Sequence, residues 1–102
     1  MTATIPSGVS GWRKRPVVLK AVQLVDDDEC DWDEIAAWCG GRIYNVEYAP
    51  GAEPETRIDI PTLEGVHTAM EGDWIVQGSA GEFWRVERDR FPDYYEPAGV
   101  AL

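Results

Sequence analysis

The chain has 102 residues, 44% of them hydrophobic, and nine Lys and Arg against nineteen Asp and Glu give a formal net charge of −10. That length supports one domain and not two, while five Trp, four Tyr and two Phe are more aromatics than a disordered, solvating segment carries. No run approaches the roughly 18 consecutive apolar residues of a membrane span, and the first residues lack the apolar stretch of a secretory signal, so a soluble, cytoplasmic protein is expected.

Residues 1–16 read as an irregular basic arm in which Ser7, Gly8, Ser10, Gly11 and Pro16 discourage regular structure. Trp12 is the exception, and a lone Trp in an arm is expected to be tied down onto the body. The β-branched, mostly apolar run Val17–Val25 reads as a central strand. Asp26-Asp27-Asp28-Glu29 breaks it. Asp31 then offers an N-cap, with Glu34 three residues on, and Trp32, Ile35, Ala36 and Cys39 recur at helical spacing before Gly40-Gly41 ends the turn. This predicts the main helix at about 31–39.

Strands follow at Arg42–Tyr48, Arg57–Ile60, Val66–Met70, Trp74–Gln77 and Glu82–Val86, separated by a Pro- and Gly-rich loop and three turns. Glu87–Pro92 suits one short helical turn, and Tyr94–Glu96 a closing strand. Residues 98–102 read as a frayed tail. The expectation is an α+β domain over 17–97, with about six short antiparallel strands in a bent sheet or small partly open barrel and one main helix packed on it.

The charge is unevenly placed. Residues 1–20 hold Arg13, Lys14, Arg15 and Lys20 and no acid, so every acid lies on the body. Backbone binding to nucleic acid needs clustered cations that release counterions, so this pattern argues against it. An acidic body suits a basic protein partner instead. Cys30 and Cys39 on one helix would point to opposite faces about 13.5 Å apart, beyond the roughly 7 Å a disulfide tolerates, so reduced thiols are expected.

Catalytic chemistry finds little footing. The single His, His67, sits on a predicted strand, and Ser7, Ser10 and Ser79 lie in the arm and a turn, so no nucleophile has a base at a supporting spacing. Two Cys and one distant His do not make a four-ligand zinc site. Asp26, Asp27 and Asp28 lack calcium-loop spacing, and no phosphate loop is present. No cofactor is expected. The aromatics are the more informative set, because Trp74 and Trp84 fall on adjacent strands with Arg85 and Tyr94 close by. Trp, Tyr and Arg dominate interface hot spots, and they also stack on bases and meet phosphates. A sheet this short does not bury five Trp, so at least one is expected to stay exposed.

The motifs Lys20-Ala21-Val22-Gln23, Ala36-Ala37-Trp38-Cys39-Gly40-Gly41, Ile60–Gly65, Gly72-Asp73-Trp74-Ile75-Val76, Gly81-Glu82-Phe83-Trp84 and Tyr95-Glu96 resemble, in that order, a family of small phage and prophage proteins of actinobacteria and other bacteria. The resemblance spans about residues 17–97. Glu71 stands where the family usually has Pro, and Trp84 where it usually has Tyr. It implies a phage-encoded accessory protein inside the bacterial host and no established activity. The combined reading is a non-catalytic protein that binds and inhibits a host bacterial protein, such as an antiphage-defence component. Its candidate binding residues are Trp12, Arg13, Asp26, Asp27, Asp28, Trp74, Trp84, Arg85 and Tyr94. The alternatives are a sponge for a small nucleotide-type signal and a minor virion or assembly component, either one compatible with a homo-oligomer.

Overall fold

A computed structural model describes residues 4–100, so the first three residues of the arm and the last two of the tail lie outside it. Six strands and two helices follow in the order β1 (Lys20–Gln23), α1 (Trp32–Cys39), β2 (Arg42–Val46), β3 (Glu55–Thr62), β4 (Gly65–Ala69), β5 (Trp74–Gln77), β6 (Phe83–Val86) and α2 (Phe91–Tyr94). The class is α+β, and all four strand pairings are antiparallel. The strands form two open three-stranded sheets, ordered β1-β5-β6 and β2-β3-β4, and do not close into a barrel.

The helix α1 forms where its end signals place it. Asp31 is extended and its carboxylate accepts from the Glu34 N–H at 3.1 Å, satisfying one of the free donors of the first turn. At the other end Gly40 adopts φ 66°, and Gly41 donates back to the Ala36 carbonyl at 2.8 Å. Gly41 is required for a second reason. A Cβ there would sit 2.7 Å from Ile58 Cγ2 and 2.9 Å from the Asp59 carbonyl oxygen, so its absence lets the helix end close onto β3.

One core joins both sheets to α1. Leu24 beyond β1, Ile75 of β5, Ile58 and Ile60 of β3 and Ala69 of β4 meet Ile35, Ala36 and Cys39 of the helix. Each fully buried Ile contributes about 1.5–3 kcal/mol relative to exposure, which for so short a chain makes this cluster the main source of stability. The turn Gly72-Asp73 clamps β1 to β5. Leu24 donates to the Asp73 carbonyl at 2.8 Å, and Gly72 donates to the Leu24 carbonyl at 2.6 Å.

Three local expectations are corrected. The run Val17–Val25 is not a central strand: β1 is four residues long and lies at a sheet edge, with Val17 and Val18 exposed. The centre belongs to β5, whose Ile75 and Val76 are both fully buried. Since β5 ends at Gln77, opposite Lys20, residues 17–19 have nothing to pair with. Second, Tyr94–Glu96 is no closing strand, because the helical turn expected at 87–92 falls at Phe91–Tyr94 and Pro92 occupies its first turn. Third, Trp12 is not tied down; it is 93% exposed on an arm whose described residues, 4–19, carry neither helix nor strand.

Candidate functional site

Strand pairing sorts the side chains of the β1-β5-β6 sheet onto two faces. Trp74 pairs with Val86 and Val76 with Trp84, so these four share one face, while Ile75 and Phe83 point to the core. Val76 is fully buried yet stands outside the main core cluster, on the opposite side of the sheet. The cover on that side includes α2. The Phe91 ring stacks on Trp74 at 3.8 Å between centroids and 2° between planes, and Tyr95 stacks on Phe91 at 4.8 Å. Residues 91 and 95 lie one helical turn apart, which lines their rings up.

This stack leaves a hollow of about 350 Å³ beside it, lined by Trp84, Arg85, Arg90, Tyr94 and Tyr95 with Val86 and Glu87. Of the residues expected from the sequence, Trp84 and Tyr94 therefore meet at one place, while Arg85 borders the hollow from a strand position whose side chain shares the face of Ile75, opposite Trp84. Tyr94 is 69% exposed and stands at the rim. The Trp84 ring packs over Gly78, where a Cβ would lie 2.8 Å from the ring and closer still to the Glu82 carboxylate. Trp74 does not line this hollow; its ring is taken up by Phe91.

Arg85 has a second duty that its position in sequence does not reveal. Its guanidinium lies 3.3 Å from Oδ2 of Asp73 and 3.8 Å from Oε1 of Glu87. Asp73 is buried, and the same Oδ2 accepts from the Met70 N–H at 2.9 Å. Arg85 thus supports the β4–β5 turn, and its charge is committed there. Arg90 is the cation that sequence reasoning missed, and among the described residues it makes no ion pair. Its signal was the alternation Arg85, Glu87, Arg88, Asp89, Arg90 around a short turn.

The other expected residues lie elsewhere. Trp12 and Arg13 belong to the exposed arm. Asp26, Asp27 and Asp28 are exposed in the β1–α1 loop, where Oδ1 of Asp27 accepts from the N–H groups of Glu29 and Cys30 at 2.9 Å each. That bonding shapes the loop through one carboxylate oxygen of Asp27. Among the described residues no group of three or more His, Cys, Asp or Glu is placed to hold a metal ion. Both cysteines are free thiols, and burial pushes the Cys39 thiol above its ordinary value of 9.0.

Two further features have no counterpart in the sequence reading. On the outer face of the β2-β3-β4 sheet, Asp59 Oδ1 accepts from Tyr44 Oη at 2.9 Å and Thr68 Oγ1 at 2.8 Å, with Arg42 3.7 Å from its other oxygen. These groups satisfy one another. A larger groove of about 550 Å³ runs between β1 and α1, with Val22, Ile35 and Trp38 inside it and Glu29, Asp31 and Glu34 along it. Trp38 is held in place edge-on against Phe83, 4.9 Å between centroids at 83°. His67, on the edge strand β4, is half-buried opposite Ile60.

Among the described residues no helix is long and apolar enough to cross a membrane. No protein-family model, curated protein or solved structure matches the chain.

Proposed function

We propose that this is a non-catalytic, phage-encoded accessory protein that acts by binding a host bacterial protein and blocking it. The observation that carries the reading is the hollow beside α2, where Trp84, Tyr94, Tyr95 and Arg90 converge. Rigid aromatics around a recess, with an Arg at the rim, form the kind of surface on which a few residues supply most of an interface's energy. The phage assignment rests on the sequence resemblance. The acidic body adds long-range attraction for a basic surface and rejects acidic competitors.

The tagged protein, purified gently from a bacterial host and weighed by native mass spectrometry, is expected to carry one host protein at fixed stoichiometry. Tyr94→Ala and Arg90→Ala are expected to cut recovery of that protein by about tenfold or more, as truncation of a hot spot does, with folding unchanged because both side chains are exposed. Recovery untouched by either substitution would exclude the hollow as the binding surface.

The same hollow favours a second reading, a sponge for a small nucleotide-type signal. Its volume is at the lower end of the roughly 300–1,000 Å³ typical of small-ligand sites, and ring stacking with Arg90 on a phosphate suits such a ligand. A small added mass that disappears on denaturation would select it over the inhibitor. Recovery of the protein in purified phage particles would instead select a virion or assembly role.

A further inference from the structure

The arm and the β1–α1 groove are complementary. The arm displays Ile5, Val9, Trp12, Val17 and Val18 to water, between 56% and 93% exposed, interleaved with Arg13, Lys14 and Arg15. It also stretches the molecule: the longest dimension is 64 Å against a shortest of 23 Å. The radius of gyration is 18.1 Å, where a compact chain of this length has about 13 Å. The groove offers the opposite surface. Its floor is apolar, with Val22, Ile35 and Trp38, and Glu29, Asp31 and Glu34 outweigh the one cation on its β1 side, Lys20, so its charge is net negative. Its β1 wall belongs to a strand whose second edge has no partner, an open row of donors and acceptors ready for another chain.

The arm does not reach its own groove without a sharp reversal. It joins β1 at Lys20, which is itself a groove residue, so even if docking within one chain ended at Arg15 only residues 16–19 would be left to turn the chain around. Pro16 holds Arg15 extended, and Val17 and Val18 favour extended backbone. We propose that the chain forms a reciprocal dimer in which residues 9–18 of each copy lie along the β1–α1 groove of the other. Trp12 sits against Ile35 and Trp38, and Arg13 and Arg15 face Glu29 and Glu34. Two-fold symmetry makes both grooves full at once and leaves no site open for further growth. The hollow beside α2 takes no part.

Sedimentation velocity on the full chain, from about 1 to 200 μM, tests this, with association expected to weaken at high salt as screened charges do. Trp12→Ala is expected to raise the dimer dissociation constant about tenfold or more, as loss of a buried anchor does. The arm variant R13E/R15E and the groove variant E29R/E34R are each expected to be monomeric, because like charges then meet at both contacts. Mixed together, they are expected to form a heterodimer, since one contact is charge-swapped and the other is native. All four substituted side chains are exposed, and far-UV circular dichroism confirms that each variant is folded. A wild-type chain that stays monomeric throughout overturns the proposal, as does a dimer indifferent to both variants. So does a monomer whose groove captures a basic host protein, which would assign the groove to a partner's segment.

Discussion

Arg85 shows how one side chain is claimed by two roles. Its sequence neighbours, Trp84 before it and Tyr94 nine residues on, suggest a ligand-facing cation. Its contacts tie it to the buried Asp73. Arg85→Ala is therefore expected to destabilise the fold by about 1–3 kcal/mol, the cost of leaving a buried acceptor short of a partner. Urea unfolding should show this as a lower midpoint, largely restored in Arg85→Lys, whereas Arg90→Ala should leave the midpoint in place. Cys39 makes a second prediction at this scale. Burial keeps its thiol protonated in the folded state above the pH at which the unfolded chain loses that proton. The unfolded state then binds fewer protons, so the contribution is fully present below the ordinary value of 9.0 and is lost as pH rises above it. Comparing urea midpoints at pH 8 and pH 10, the wild type should lose more than Cys39→Ala does. A thiol reagent under native conditions should modify the half-buried Cys30 well before Cys39.

At the scale of elements, end signals explain what forms and where it stops. Asp31 caps α1 through one hydrogen bond to Glu34, and Asp31→Ala is expected to cost about 1 kcal/mol, within the range of about 0.5–2 for lost caps. Because α1 is only eight residues long, little else holds its first turn, and equilibrium unfolding should detect the loss. The hairpin β3–β4 closes on Leu63 and Glu64, with Thr62 opposite Gly65 at φ 109°. Pro61 is tolerated inside the central strand of its sheet because β2 begins at Arg42, opposite Asp59. Residues 60–62 therefore have only β4 beside them, and no β2 ladder bond is lost there. By contrast β1 is short for a reason outside itself: the ladder ends where β5 does.

The whole molecule is an acidic body with a basic arm. All nineteen acids follow residue 20, so the proposed partner and the proposed second copy would each meet a field that is strong at low salt. Partner binding is accordingly expected to slow as NaCl rises from about 0.05 to 0.5 M, mostly through the association rate. Surface plasmon resonance against the recovered host protein would measure it, and a salt-independent association rate would confine the charge to a solubility role. The stability of the domain should respond far less, because its core is a continuous apolar cluster spanning both sheets and α1.

The sequence by itself determined the class, the single dominant helix with both its ends, and the positions of five of the six strands to within about two residues. These are short-range matters: a cap is read from residues three apart, a turn from its glycine, a strand from its alternation. It also brought Trp84 and Tyr94 forward together, and both line the hollow beside α2, because residues on one hairpin and its following turn stay neighbours in space; Arg85, next to Trp84 in the chain, turns to the other face. Only the tertiary structure decided the rest. Which strand is central depends on what lies on either side of it, and β5 outranks the more apolar Val17–Val25 because its own two faces are both covered. Whether Trp12 packs depends on a surface far away in sequence, and it finds none on its own chain. The division of Trp74 from Trp84 is of the same kind. They share a face, but Phe91 arrives on one ring and leaves the other beside an open hollow. That long-range placement, set by where the chain returns and not by any local pattern, is what turned a list of aromatic residues into one stack and one hollow.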